Sequence, residues 1–291
     1  MDFLITCLQA ATPIWLAALG GLFAQRAGVL HMGLEGLMLI GAFVSVTIAI
    51  ATGSLVMSMT VAIAASLVVS VLFWLLITKL RANVVIVGLA ISLTAASATT
   101  YALVRIFGSQ AAIQTTVELP KPFGGELSIL TYAAVGLTAV AWFVFARTRW
   151  GLRISVSGRD VFAARSAGVH VDRTRLVALL IAGACCALAG TELALSNVQS
   201  FSQNMAAGRG YVAFIAVLLG GVTPIGTAAA AIFFGFAEGI GIEAQLTWGG
   251  QVPSQFIQMA PYVATIVAMV VAGIGYRRRG MTIAASPEAL E

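Results

Sequence analysis

The sequence predicts an all-α fold, a polytopic transmembrane helical bundle of about nine crossings. Two observations carry that expectation. Of 291 residues, 60% are hydrophobic and only 9% charged, with a mean hydropathy of +1.00, whereas an average soluble domain is about 25% charged. The apolar residues are also gathered into runs close to the ~20 residues that a bilayer-spanning helix needs. Sixteen Lys/Arg and eleven Asp/Glu cannot coat a water-soluble globule of this length. An ordinary cytosolic enzyme, a disulfide-stapled secreted domain and a disordered chain are thereby excluded.

In chain order the apolar runs fall near 3–24, 29–51, 55–79, 83–107, 127–146, 175–196, 205–222, 226–247 and 256–276, with ends uncertain by a few residues. The seventh is the weakest. Its strongly apolar part, Tyr211 to Val222, is short and stops at Thr223-Pro224-Ile225-Gly226. It reads as a crossing or as a broken, re-entrant element, which is tolerated at depth where protein buries the backbone. The break at 108–126, with Pro120-Lys121-Pro122 and Gly124-Gly125, reads as an extended surface loop. Residues 1–280 make one transmembrane domain and 281–291 a short disordered tail, with no soluble module between. Met1-Asp2-Phe3 lacks the basic start of a standard signal peptide.

The net charge of +5 marks topology and not a nucleic-acid partner, because the charges lie between apolar runs. With the N-terminus outside and the C-terminus inside, 13 basic residues face inward: Arg26, Lys79, Arg81, seven arginines of the 147–175 loop and Arg277-Arg278-Arg279. Arg105, Lys121 and Arg209 then face outward. The excess of inward basic residues favours this orientation, provided the number of crossings is odd.

Local chemistry is scarce. Neither lysine follows a glycine (Thr78-Lys79, Pro120-Lys121), so no G-x-x-x-x-G-K-[ST] phosphate loop exists. Gly208 to Ala213 and Gly239 to Ala244 fit a loose G-x-G-x-x-A pattern but lack its strand–turn–helix context. His31 and His170 fall in separate loops, and Cys7, Cys185 and Cys186 lie inside apolar runs without metal spacing. The chain reads as a non-enzyme that binds no cofactor or metal.

The inner loop 147–175 is too long for a simple turn. Asp160 to Ala167 predicts about two helical turns with Gly168 ending them, and Asp160 and Arg165 both suit the helix dipole. Gly158, Asp160, Phe162, Ala163, Ala164, Arg165 and Gly168 are the candidate docking residues, small enough in part to enter a partner's groove. The alternative is a positive-inside loop that only sets topology. Within the crossings, Thr94, Ser97 and Tyr101 share one helical face and, with Asn83 at that segment's start, are candidate pathway-lining residues. Helix–helix hydrogen bonding is the competing account. Glu238, near mid-crossing between Gly235 and Gly239, is costly there unless paired, protonated or hydrated, and is a further candidate pathway-lining residue. Glu35 and Glu192 lie nearer segment ends, where snorkelling or local bonds suffice.

Several stretches resemble permease subunits of nucleoside and simple-sugar ABC importers, the ribose-permease-related members of the branched-chain amino acid permease superfamily. They are Gln25-Arg26-Ala27-Gly28-Val29, Gly33-Leu34-Glu35-Gly36, Ile40-Gly41-Ala42-Phe43, Leu80-Arg81-Ala82-Asn83, Gly158-Arg159-Asp160 to Val169, and Gly208-Arg209-Gly210-Tyr211 to Gly226, in the same order. His31-Met32 stands where Asn-Ile is usual, and Arg159-Asp160-Val161 replaces a Gly-Glu-Asn-Pro-like run. The resemblance implies a multi-pass protein of the bacterial inner (plasma) membrane. Its expected partners are a cytoplasmic ABC ATPase that uses ATP and Mg, a second and often different permease, an extracytoplasmic substrate-binding lipoprotein, and membrane lipids. A branched-chain amino acid permease is the close rival; an ion-coupled secondary transporter with Glu238 carrying a proton is the distant one.

Overall fold

Polar caps set where the helices begin. Ser54, Asn83, Ser128, Thr148 and Asp160 each stand one residue before a helix and accept from a backbone N–H of its first turn, which satisfies donors the helix itself leaves open. The computed structural model describes residues 2–108, 112–122 and 126–248. Helix α1 spans Asp2–Arg26, α2 Leu34–Thr52, α3 Leu55–Thr78 and α4 Val84–Phe107. Strand β1 (Ala112–Gln114) precedes α5 (Ile129–Arg147), α6 (Arg149–Arg159), α7 (Val161–Ser166) and α8 (Val171–Glu192). A π-helical turn, Leu193–Asn197, leads to β2 (Ser200–Ser202), α9 (Arg209–Leu219) and α10 (Pro224–Trp248).

Among the described residues, seven helices are long and apolar enough to cross a membrane: α1 to α5, α8 and α10. Helices α1, α2 and α8 are mostly buried and form the centre of the bundle, whereas α3, α4 and α5 leave most of their apolar surface exposed. An exposed apolar helix is stable when lipid or a protein neighbour covers it. At the centre, α10 lies antiparallel against α1: Gly235 and Gly239 bring its backbone onto Ala11 and Cys7, where any Cβ would collide. The three cysteines are free and buried, in keeping with a packing role. His31, in the turn between α1 and α2, stacks on Phe73 with ring centroids 4.5 Å apart. Burial without a counter-charge lowers its pKa to about 4.

Nine crossings were expected, and the seventh differs from a full helix. Helix α9 has 11 residues, about 16 Å, roughly half of a ~30 Å hydrocarbon core. The remaining length is a chain of turns, 203–208, which leaves the β1–β2 layer and meets α9 beside the start of α2. The broken form, and not the continuous one, is therefore observed. The ninth run, 256–276, and the tail 281–291 lie outside the described residues.

The surface loop expected at 108–126 is partly ordered by long-range pairing. Strand β1 pairs antiparallel with β2 in the register Ala112 with Ser202, Ile113 with Phe201 and Gln114 with Ser200. Phe201, fully buried, packs edge-on against Phe43 of α2 at 5.2 Å.

Candidate functional site

The segment before α9, together with α9 and α10, borders an open cavity of about 830 Å3. Its apolar wall includes Ile14, Leu193, Val198 and Met205. Its polar wall comes from Ser202, Gln203, Asn204, Tyr211 and Gln245, with Arg209 and Glu238 as the charged members of the lining. Those two side chains form an ion pair with each other, both largely shielded from solvent. Arg209 Nη1 additionally donates to the carbonyls of Met205 at 3.0 Å and Ala206 at 3.4 Å. The backbone of this wall is unusual. Gln199, Asn204 and Ala207 all hold positive φ, at 49°, 52° and 47°, a conformation costly for residues with a Cβ and concentrated at functional sites.

The first N–H groups of helix α9 have no partner within the helix itself. Glu35, at the start of α2 and only 6% exposed, supplies the partner. Gly208 N donates to Glu35 Oε1 at 2.8 Å and Gly210 N to Oε2 at 2.7 Å. A carboxylate at a helix N-terminus gains from both the open donors and the helix dipole. Gly210 is required here because any Cβ would strike the Glu35 backbone. Local bonding was expected of Glu35; its partners instead lie more than 170 residues away. Glu192 is likewise fully buried, with both oxygens 2.7 Å from Ser128 Oγ.

At the Arg-rich end, α7 protrudes. Asp160 accepts from Ala163 N at 2.9 Å, and at the other terminus Gly168 has φ +75°. Gly168 N donates to Arg165 O and Val169 N to Ala164 O, both at 2.9 Å. This double closure is the Schellman arrangement, so six residues hold a fixed helical shape. Phe162 is 83% exposed, and Ala163 and Arg165 are also exposed. Ala164, fully buried, faces the protein instead of a partner, so it supports the shape of α7 from within. Gly158 meets the turn after α1: a Cβ on Gly28 would lie 2.9 Å from Gly158 Cα. Arg26 fastens the same corner, donating from Nε to Val222 O at 2.7 Å and from Nη1 to Ser155 Oγ at 3.4 Å, with its guanidinium 5.0 Å over the Phe145 ring.

Of the residues singled out as pathway-lining, Glu238 lies in the cavity. Asn83 stands at the Arg-rich end and caps α4, its Oδ1 accepting from Val85 N and Ile86 N. Thr94, Ser97 and Tyr101 share the exposed face of α4 and do not line the cavity. Arg209, read from sequence as an outward-facing charge, is the partner of Glu238. Sequence reasoning missed helix α6, the β1–β2 pairing and the clamp of Glu35 on α9. The clamp had a signal: Gly208-Arg209-Gly210 opening a helix is an anion-binding pattern, and its anion is the protein's own carboxylate.

Residues 3–274 match the family model described as "Branched-chain amino acid transport system / permease component". The guanosine ABC transporter permease protein NupQ of Bacillus subtilis is 32% identical, over 90% of this chain and 89% of its own length. The nucleoside ABC transporter permease protein NupC of Lactococcus lactis is 29% identical, over 89% and 88%. A putative glucose ABC transporter permease protein of Haloferax volcanii, TsgC13, is 30% identical, over 82% and 76%. Among solved structures, PsaBC from Streptococcus pneumoniae in complex with Fab has the same fold, with TM-score 0.56 at 13% identity, covering 92% of this chain and 91% of that one.

Proposed function

Since this chain belongs to that family of ABC permease components, we propose that it forms the membrane path of an ATP-driven importer for a nucleoside or simple sugar. The observation that carries the reading is α7, a rigidly capped helix that leaves the bundle with Phe162 bare. An exposed aromatic on a short, fixed projection suits insertion into a groove on a soluble motor. On this reading Gly158, Asp160, Phe162, Ala163, Arg165 and Gly168 form or shape the coupling element, and Ala164 backs it. Closure of two cytoplasmic ATPase sites, which bind ATP and Mg themselves, displaces α7 and shifts the bundle between outward and inward openings. The Arg-rich end is cytoplasmic and the N-terminus outside, in the bacterial inner membrane.

The remaining partners are a second permease, an extracytoplasmic substrate-binding lipoprotein and the surrounding lipids. Ser/Thr/Tyr on a lipid-facing helix is unusual, so the Thr94–Ser97–Tyr101 face of α4 is assigned to the surface shared with the second permease. A nucleoside is favoured over a branched-chain amino acid because NupQ and NupC, each similar along nearly the whole chain, are named for guanosine and nucleosides. The pairing of Glu238 with Arg209 removes the free proton carrier that an ion-coupled transporter would use.

The test is uptake by the complete complex, this chain with its neighbouring permease, ATPase and receptor, in proteoliposomes. ATP-dependent accumulation of uridine or glucose is expected. Accumulation of leucine but neither of these, or uptake that persists without ATPase and collapses with an uncoupler, overturns the assignment.

A further inference from the structure

Resting on the reading of this chain as an importer's permease, we propose that the cavity between residues 198–208, α9 and α10 is a contact site for uncharged, hydroxyl- and amide-bearing solutes, and that the Arg209–Glu238 pair sets this preference by keeping the cavity free of available charge. The volume of about 830 Å3 falls within the ~300–1,000 Å3 typical of small-molecule sites. What matters is how the lining is committed.

A carboxylate is recognised best by an arginine that offers two parallel N–H groups to it. Arg209 already has an anionic partner. Its Nη2 points to Glu238, while Nη1 points to the carbonyls of Met205 and Ala206. Glu35, on the other side of the Gly208–Gly210 turn, is held by Gly208 N and Gly210 N. A zwitterion or anion entering the cavity therefore meets an arginine already neutralised by Glu238, and to take it over it must break a shielded ion pair, which strands a charge. Ser202, Gln203, Asn204, Tyr211 and Gln245 present hydroxyl and amide groups, matched to the hydroxyls of a sugar and the amide edges of a nucleobase. The wall is also the strained one: Asn204 and Ala207 both hold positive φ, as expected where the backbone is shaped for contact and not for regular packing.

The experiment uses the reconstituted importer carrying Asn204→Cys, whose thiol projects from an exposed cavity position. The native cysteines are buried and do not compete for maleimide. Saturating uridine should slow labelling at residue 204 about tenfold. Leucine and uridine-5′-carboxylate should leave it unchanged, as should all three solutes at a Ser166→Cys control on α7. Adding Glu238→Gln frees Arg209, so uridine-5′-carboxylate should now protect residue 204. The neutral double variant Arg209→Gln/Glu238→Gln should lose that carboxylate protection and keep protection by uridine. The wild-type-charge measurement stands alone if a charge variant fails to assemble. Unchanged labelling with uridine, in an importer that still accumulates uridine, overturns this site while leaving the transport assignment intact. Protection by leucine equal to that by uridine overturns the specificity claim. Failure to accumulate either uridine or glucose removes the transport premise and the site with it.

Discussion

Replacing Glu35 should loosen α9 from α2 more than any other single polar change in the cavity wall. Its carboxylate accepts two N–H groups, from Gly208 at 2.8 Å and Gly210 at 2.7 Å, in surroundings that leave the residue 6% exposed. Hydrogen bonds to a charged group contribute about 1.5–3 kcal/mol each. Glu35→Ala removes both acceptors, so a loss of about 3–6 kcal/mol follows. Glu35→Gln keeps the shape and one acceptor oxygen but turns an NH2 toward the second donor, for a loss of about 2–3 kcal/mol. Against a total stability of about 5–15 kcal/mol these are large changes. The assay is thermal or denaturant unfolding of purified protein followed by fluorescence of its five tryptophans. Glu35→Leu, which fills the volume without accepting, separates packing from hydrogen bonding and should resemble the alanine variant. Unfolding of Glu35→Gln and Glu35→Leu within about 0.5 kcal/mol of the parent would refute the clamp.

Three further outcomes follow from the same geometry. Phe162→Ala removes a side chain that is 83% exposed, so stability should stay within about 0.5 kcal/mol while ATP-driven uptake by the assembled complex falls and the isolated ATPase is unaffected. Ala207 at φ +47° carries about 1–2 kcal/mol of left-handed strain, of which glycine returns about 0.5–1 to unfolded-state entropy; Ala207→Gly should raise the unfolding midpoint slightly and Ala207→Val lower it. Ser128→Ala removes both the donor to the buried Glu192 and the cap of α5, a combined loss of about 3 kcal/mol that Ser128→Thr should largely avoid in the same unfolding assay.

The long helices were legible because hydropathy reports burial in lipid directly, and α1 to α5, α8 and α10 each coincide with an apolar run. The 159–168 projection was legible for a different reason: Asp160 and Gly168 are local signals, and capping acts within four residues of chain. What sequence hid are the contacts whose partners are far apart. The pairing of Ala112–Gln114 with Ser200–Ser202 joins segments too short to show a strand period. The Arg209–Glu238 pair joins two charges that, read singly, look like an outward-facing cation and a lone buried acid. Exposure was hidden too. The Thr94–Ser97–Tyr101 spacing fixes a common face but not the direction in which it points, and Ala164 belongs to α7 while facing inward.

A helix of 11 residues is marginal by itself, so the position of α9 must be imposed by what holds its ends. Its first N–H groups are held by Glu35 and the turn after its last residue by Arg26, which donates to Val222 O. Both side chains flank the 27–33 turn between α1 and α2, so α9 is fastened to that corner at both of its ends. The same corner meets α6 in two ways of unequal stiffness. The Arg26–Ser155 hydrogen bond is long, at 3.4 Å, and yields easily. The Gly28–Gly158 contact is backbone against backbone, with no side chain between to absorb a shift. The glycine contact thus joins α6 to the corner, and Arg26 and Glu35 join the corner to the helix that walls the cavity. The two glycines and the two clamps are one mechanical unit, which explains why a chain with so few charged residues places Arg26 and Glu35 on either side of a single seven-residue turn.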